Sequence, residues 1–211
     1  MSDSDDIVST IRRACETELS RLGSSRALYA ITDGEIDTDP VLRAAAEAEN
    51  AAWKTFEQWA ADETTEEVAT FFGELAETER RHYETVCAEL GEDVSTPDGP
   101  PPMHIFLREQ TDTIDRLGAF LGRTVASAAS KSQIVGYFVG NADPGTADVF
   151  RGFGEDLDDQ LEAGTTLLEK NIDSVDERER AIEAGTGAIE MAYEEYVDTL
   201  TELDVNPKPV C

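Results

Sequence analysis

The sequence predicts an all-α helical bundle. Three observations lead there. Alanine, leucine and glutamate are abundant while only 7% of residues are aromatic, which favours helix over sheet. Apolar residues recur at helical spacing, and no segment shows the alternation of a half-buried strand. Helix starts are marked by capping side chains. A chain of 211 residues is read as one domain, 1–211, able to enclose a single sizeable core.

The elements follow in order. Helices over 5–22 and 24–33 form an N-terminal hairpin within residues 1–34. Asp39-Pro40 sets a capping side chain before a proline at the first helical position, opening a helix over 40–62. Thr64-Thr65-Glu66-Glu67 fits a capping box and opens the next, 65–90, which stops at Gly91. This pair, within 39–91, is the first bundle hairpin. The run "GEDVSTPDGPPPM" from Gly91 to Met103 cannot continue a helix, so 92–102 is a crossover. It is long where the other joints are short, and a long joint permits a parallel neighbour. The second half, 103–203, holds helices over 103–139, 145–171 and 175–203, with a break expected near Ser130–Ser132. Asp143-Pro144 and the capping box Ser174-Val175-Asp176-Glu177 mark starts; Gly140-Asn141 and Asn171 mark stops. The tail, 204–211, ends "NPKPVC" and is too proline-rich for helix; it is a frayed end or a docking peptide.

The formal net charge is -29, carried with only 17 Lys and Arg. So acidic a surface repels itself in dilute buffer and fits a salt-rich cytoplasm, as in a halophilic microbe. It argues against nucleic-acid binding through phosphates. No stretch approaches the ~20 apolar residues of a membrane span, and the acidic start, Met1 to Asp6, lacks the order of a signal peptide. The expected location is the cytoplasm, and the partners left open are a second copy of the chain or another protein. Cys15, Cys87 and Cys211 are too widely spaced for a disulfide framework or a zinc site. Cys15 and Cys87 read as small buried groups, and His104 as an exposed loop or cap residue.

Two helices place ionisable groups on their core faces. On a wheel of 100° per residue, Val68, Phe71, Phe72, Leu75, Val86 and Leu90 make one stripe, and Glu79 and His82 fall inside it. On the preceding helix, Val41, Leu42, Ala45, Ala52, Phe56 and Trp59 define the apolar face, with Glu49 near its middle. A short turn makes the two helices antiparallel, bringing Glu49 level with Glu79 and His82. Two buried carboxylates beside an imidazole need a partner, or a proton, to offset lost hydration. A divalent metal is one such partner; carboxylate and imidazole suit iron or manganese.

Glu49 on one helix and Glu79-x-x-His82 on the next resemble the first half of the site in rubrerythrins and other ferritin-like proteins. The likeness is close from Glu49 through Leu90 and otherwise rests on helix number and crossover. It implies a ferritin-like bundle, redox chemistry or a role in oxidative stress, and a metal at Glu49, Glu79 and His82. That family builds a di-iron centre from one Glu on each of two helices and Glu-x-x-His on each of the other two. Here the second half is missing. The stripe of 145–171, through Phe150, Phe153, Leu157, Leu161, Gly164 and Leu168, carries no carboxylate. In Glu190-x-x-Tyr193 a tyrosine replaces the histidine. At most one iron or manganese ion is therefore expected, with Tyr193, Tyr196 or Gln110 as supporting groups. Lys131, on the core-facing stripe of 103–139, is the alternative: its ammonium could neutralise a glutamate and replace a metal altogether. The competing class is a metal-free regulatory or interaction protein on the same bundle. The whole pattern is also similar to small acidic haloarchaeal proteins that carry a transcription-antitermination label.

Overall fold

The computed structural model describes residues 6–94 and 99–207 and is an all-α bundle. Three short N-terminal helices, α1 (Ile7–Ala14), α2 (Glu16–Leu22) and α3 (Ser25–Ile31), precede α4 (Thr38–Asp62), α5 (Glu66–Leu90) and α6 (Pro102–Glu109). The last three are α7 (Thr113–Gly140), α8 (Pro144–Asn171) and α9 (Val175–Glu202).

Four long helices carry the site, and cross-contacts fix their directions. Thr38 meets Tyr137, Glu49 meets Lys131 and Glu63 meets Arg116, so α4 and α7 are antiparallel. Glu67 meets Lys170 and His82 meets Asp156, so α5 and α8 are antiparallel. With α4 and α5 joined by a short turn, the order is up-down-down-up. The long connection from α5 to α7 makes those two helices parallel, as its length predicts. It carries α6, which is tied to α4 by the Trp59 indole donating to the Leu107 carbonyl at 3.1 Å.

The fifth long helix, α9, lies along α7 in parallel. Gly118 and Gly122 face Ala181 and Gly185, so closely that a Cβ at Gly122 would sit 1.9 Å from the Gly185 carbonyl oxygen. Only hydrogen fits there. Helices α1 to α3 pack across α7 and α9, with Ile7 and Ile11 fully buried.

Several boundaries differ from the sequence reading. The first helix kinks at Cys15, although its hydrogen bonds continue through Cys15 N to Ile11 O (3.1 Å) and Leu19 N to Cys15 O (2.9 Å). The N-terminal unit is thus three helices rather than a two-helix hairpin. The helix over 103–139 breaks at Gln110–Asp112, not at Ser130–Ser132. Asp112 caps α7 by accepting from Ile114 N at 3.0 Å, while Glu63 accepts from Thr113 (2.9 Å) and Arg116 (3.1 Å) at the same joint. Ser132 instead bonds back to the Ala129 carbonyl at 2.7 Å, which a continuous helix allows. Asp37 rather than Asp39 stands at the start of α4. Thr65 makes no capping bond; Glu63 accepts from Thr64 N and Thr65 N at 2.8 and 3.0 Å in its place. The predicted caps at Asp143 and Ser174 form, and α5 ends in left-handed Gly91. Among the described residues no helix is long and apolar enough to cross a membrane. Of the tail, Lys208 to Cys211 lie outside the described residues.

The apolar core falls into two clusters. One contains Phe56, Trp59, Phe72 and Phe120; the other contains Val41, Val86, Phe138, Phe150 and Phe153. Between them runs a layer of charge.

Candidate metal centre

That layer is built from α4, α5, α7 and α8. Glu49 comes from the middle of α4 and is 1% exposed; Glu79 and His82, one turn apart on α5, are 0% and 4% exposed. The helical spacing that buries Phe72, Leu75 and Val86 buries them too. One ligand atom from each lies within 4.8 Å of the others.

Each carboxylate uses one oxygen on a cation from α7. Glu49 Oε1 pairs with Lys131 Nζ at 2.6 Å, and Glu79 Oε1 accepts from Arg123 Nη1 at 2.9 Å. The second oxygens, Glu49 Oε2 and Glu79 Oε2, have no hydrogen-bond partner, and neither does His82 Nδ1. Nδ1 stands 3.6 Å from Glu49 Oε2 and 3.7 Å from Glu79 Oε2, too far for hydrogen bonds but close enough for strong Coulomb coupling. On its other side, His82 Nε2 lies 2.8 Å from Asp156 Oδ2, and the ring stacks on Phe153 with centroids 3.9 Å apart.

The electrostatics follow from these partners. Burial pushes the Glu79 carboxyl up, but Arg123 leads the interactions that hold it well below the usual carboxylate range. Burial likewise pushes His82 down, and Glu49 and Glu79 outweigh it, raising the imidazole to about 9. Without a metal the ring is therefore an imidazolium. Glu49, Glu79 and Asp156 then meet Lys131, Arg123 and His82 with equal formal charge.

The donor set also has features of a metal site. Nε2–H donating to a carboxylate fixes ring orientation and, in the neutral ring, leaves the Nδ1 lone pair facing the two free carboxylate oxygens. Three converging, buried, unpartnered ligand atoms could hold a metal ion. Compared with family profiles, curated proteins and solved structures, the chain has no match.

The other predicted site residues are dispersed. Lys131 sits in the layer, on Glu49. The Tyr193 hydroxyl accepts from Arg21 on α2, the Tyr196 hydroxyl donates to the Pro207 carbonyl at 3.3 Å, and the Gln110 amide donates to the Phe106 carbonyl at 2.9 Å. None of these three bonds to the Glu49–Glu79–His82 group. His104 is not an exposed cap residue: it is 3% exposed within α6. Thr55 Oγ1 donates to the Ala51 carbonyl at 2.8 Å and accepts from His104 Nδ1 at 2.9 Å and Arg108 Nε at 3.1 Å. Burial, then the charges of Arg123 and Arg108, push His104 down to about 3, so it is neutral. Cys15 and Cys87 are buried thiols, as expected.

Two residues of the charged layer escaped the sequence reading. Arg123 is fully enclosed because α7 has no solvent face over much of its length; Arg116 through Ala126 are all buried. The run "LGAFLGRTVASAA" has a single charge in thirteen positions, which marks a helix surrounded on all sides. Asp156 lies three residues after Phe153, on the flank of the α8 stripe. It supplies the carboxylate that the stripe itself lacks.

Proposed function

We propose that this chain is a divergent rubrerythrin-like protein of the ferritin-like class, from a salt-adapted organism, that holds one iron or manganese ion between Glu49, Glu79 and His82. The observation that supports it is the convergence of Glu49 Oε2, Glu79 Oε2 and His82 Nδ1, each buried and without a hydrogen-bond partner. The up-down-down-up order with a long crossover agrees with this reading.

A bound ion of this kind supplies redox or Lewis-acid chemistry, suited to a role in oxidative stress. The chain's own residues do the rest. Asp156 keeps the proton on His82 Nε2 and sets the ring plane, which Phe153 supports from its face. Arg123 and Lys131 hold the far oxygens and fix both carboxylates in place. Their positive charge also lowers the site's attraction for a cation, so affinity is moderate. Titration of chelator-treated protein with Mn(II) tests this: one equivalent binds to the native chain and none to Glu79→Gln. Absence of saturable binding to the native chain overturns it.

A second reading has an observation of its own. Lys131 on Glu49 and Arg123 on Glu79 already give each buried glutamate a cation. This favours a metal-free regulatory or interaction protein whose charged layer keeps the helices in register, and a part in transcription antitermination belongs to this reading. The same titration separates the two.

A further inference from the structure

A cavity of about 350 Å³ opens between α3, α4, α7 and α9, roofed by Met103 and His104 of α6. That volume is within the range of small-molecule sites. It exists because the facing positions are small: Ala27 and Ala30 on α3, Ala44, Ala45 and Ala48 on α4, and Ala126 on α7. Leu22, Ile134 and Met103 complete walls that are chiefly apolar. Its inner end is the Glu49–Lys131 pair, and its ionisable rim is Asp33, Glu47 and Glu195.

The charge of this lining is one-sided. Lys131 is the one lysine or arginine that lines it among the described residues, and its ammonium is committed to Glu49 at 2.6 Å. His104 is neutral. Asp33, Glu47 and Glu195 therefore set the field that an entering molecule meets. Glu195, on α9, is half-buried and has no hydrogen-bond or ionic partner among the described residues; burial alone pushes its carboxyl up. Glu195 is a carboxylate whose charged form lacks a counterion beside an apolar chamber.

We infer that the cavity binds a small organic cation, an ammonium carried on a compact apolar body, with the body among the alanines and the ammonium at Glu195 and Glu47. The site does not require a metal at Glu49, Glu79 and His82, and metal-free protein tests it, so its failure and that of the metal reading are separate results.

Three probes share one body: cyclohexylmethylammonium, cyclohexylmethanol and cyclohexanecarboxylate. Each is titrated calorimetrically into the full chain in chelator. The ammonium binds saturably and at least tenfold tighter than the alcohol, and the carboxylate weakest. Glu195→Gln, at a half-buried position that tolerates an amide, lowers ammonium affinity at least tenfold and leaves the alcohol within twofold. Ala44→Leu, checked for folding by circular dichroism, lowers binding of both. Equal affinity for ammonium and alcohol overturns the inference, as does preference for the carboxylate, which would make Lys131 the reader. No saturation by any probe, or an unchanged ammonium affinity in Glu195→Gln, also overturns it.

Discussion

Replacing Lys131 by Met isolates the competition at the heart of the charged layer. Lys131 Nζ lies 2.6 Å from Glu49 Oε1, and the two side chains are 8% and 2% exposed. At an effective dielectric constant near 20, two unit charges at that separation attract by roughly 6 kcal/mol before desolvation is counted. Removing one member of such a buried pair leaves an uncompensated charge and costs about 3–5 kcal/mol. For a chain of this size each kcal/mol corresponds to roughly 2–4 °C, so the metal-free variant should melt about 6–20 °C lower. A divalent ion reverses the deficit, because it offers Glu49 a new counter-charge and no longer faces the repulsion of the ammonium. Scanning calorimetry in chelator and in excess Mn(II) measures both effects. The metal-induced rise in melting temperature is expected to be larger in Lys131→Met than in the native chain. Equal melting of the two metal-free proteins refutes the pair's energetic role. A smaller or absent metal rescue in the variant refutes the competition.

Further outcomes follow from other contacts. Asp156→Ala removes the acceptor that holds His82 Nε2 at 2.8 Å and should weaken Mn(II) binding about 10–100-fold in a calorimetric titration, with little change in fold. His104 is held neutral by burial down to about 3, against an ordinary 6.5, so it adds stability that is complete above pH 6.5 and lost as pH falls towards 3. Between pH 6.5 and 5 this amounts to about 2 kcal/mol; urea melts of the native chain should show that extra loss and His104→Gln should not. Gly122→Ala would drive a methyl to 1.9 Å from the Gly185 carbonyl, prising α9 from α7, and should destabilise by about 3 kcal/mol or more by urea denaturation. Unchanged stability there would contradict the parallel close packing.

The sequence made the one-sided helices readable. Helices α4 and α5 each bury one face, so a wheel located Glu49, Glu79 and His82 correctly on inward faces. The same method failed on α7, which has neighbours all round; assuming one apolar stripe left Arg123 outside it. It failed differently on α8, where Asp156 is half-exposed and reaches the layer from the rim. The crossover was legible from its prolines and length. The joint at Gln110–Asp112 was not, because it depends on Glu63, about 50 residues away, capturing Thr113 and Arg116. His104 was misread for a related reason. Its burial comes from α6 packing against Thr55 of α4, a long-range contact with no local signature.

Metal content of the chain, purified in high salt without chelator, tests the central claim most directly. Iron or manganese near one equivalent per chain, and its disappearance in a folded His82→Ala variant, is the predicted result. A fully folded native protein carrying neither metal, and taking up neither when offered, would contradict it.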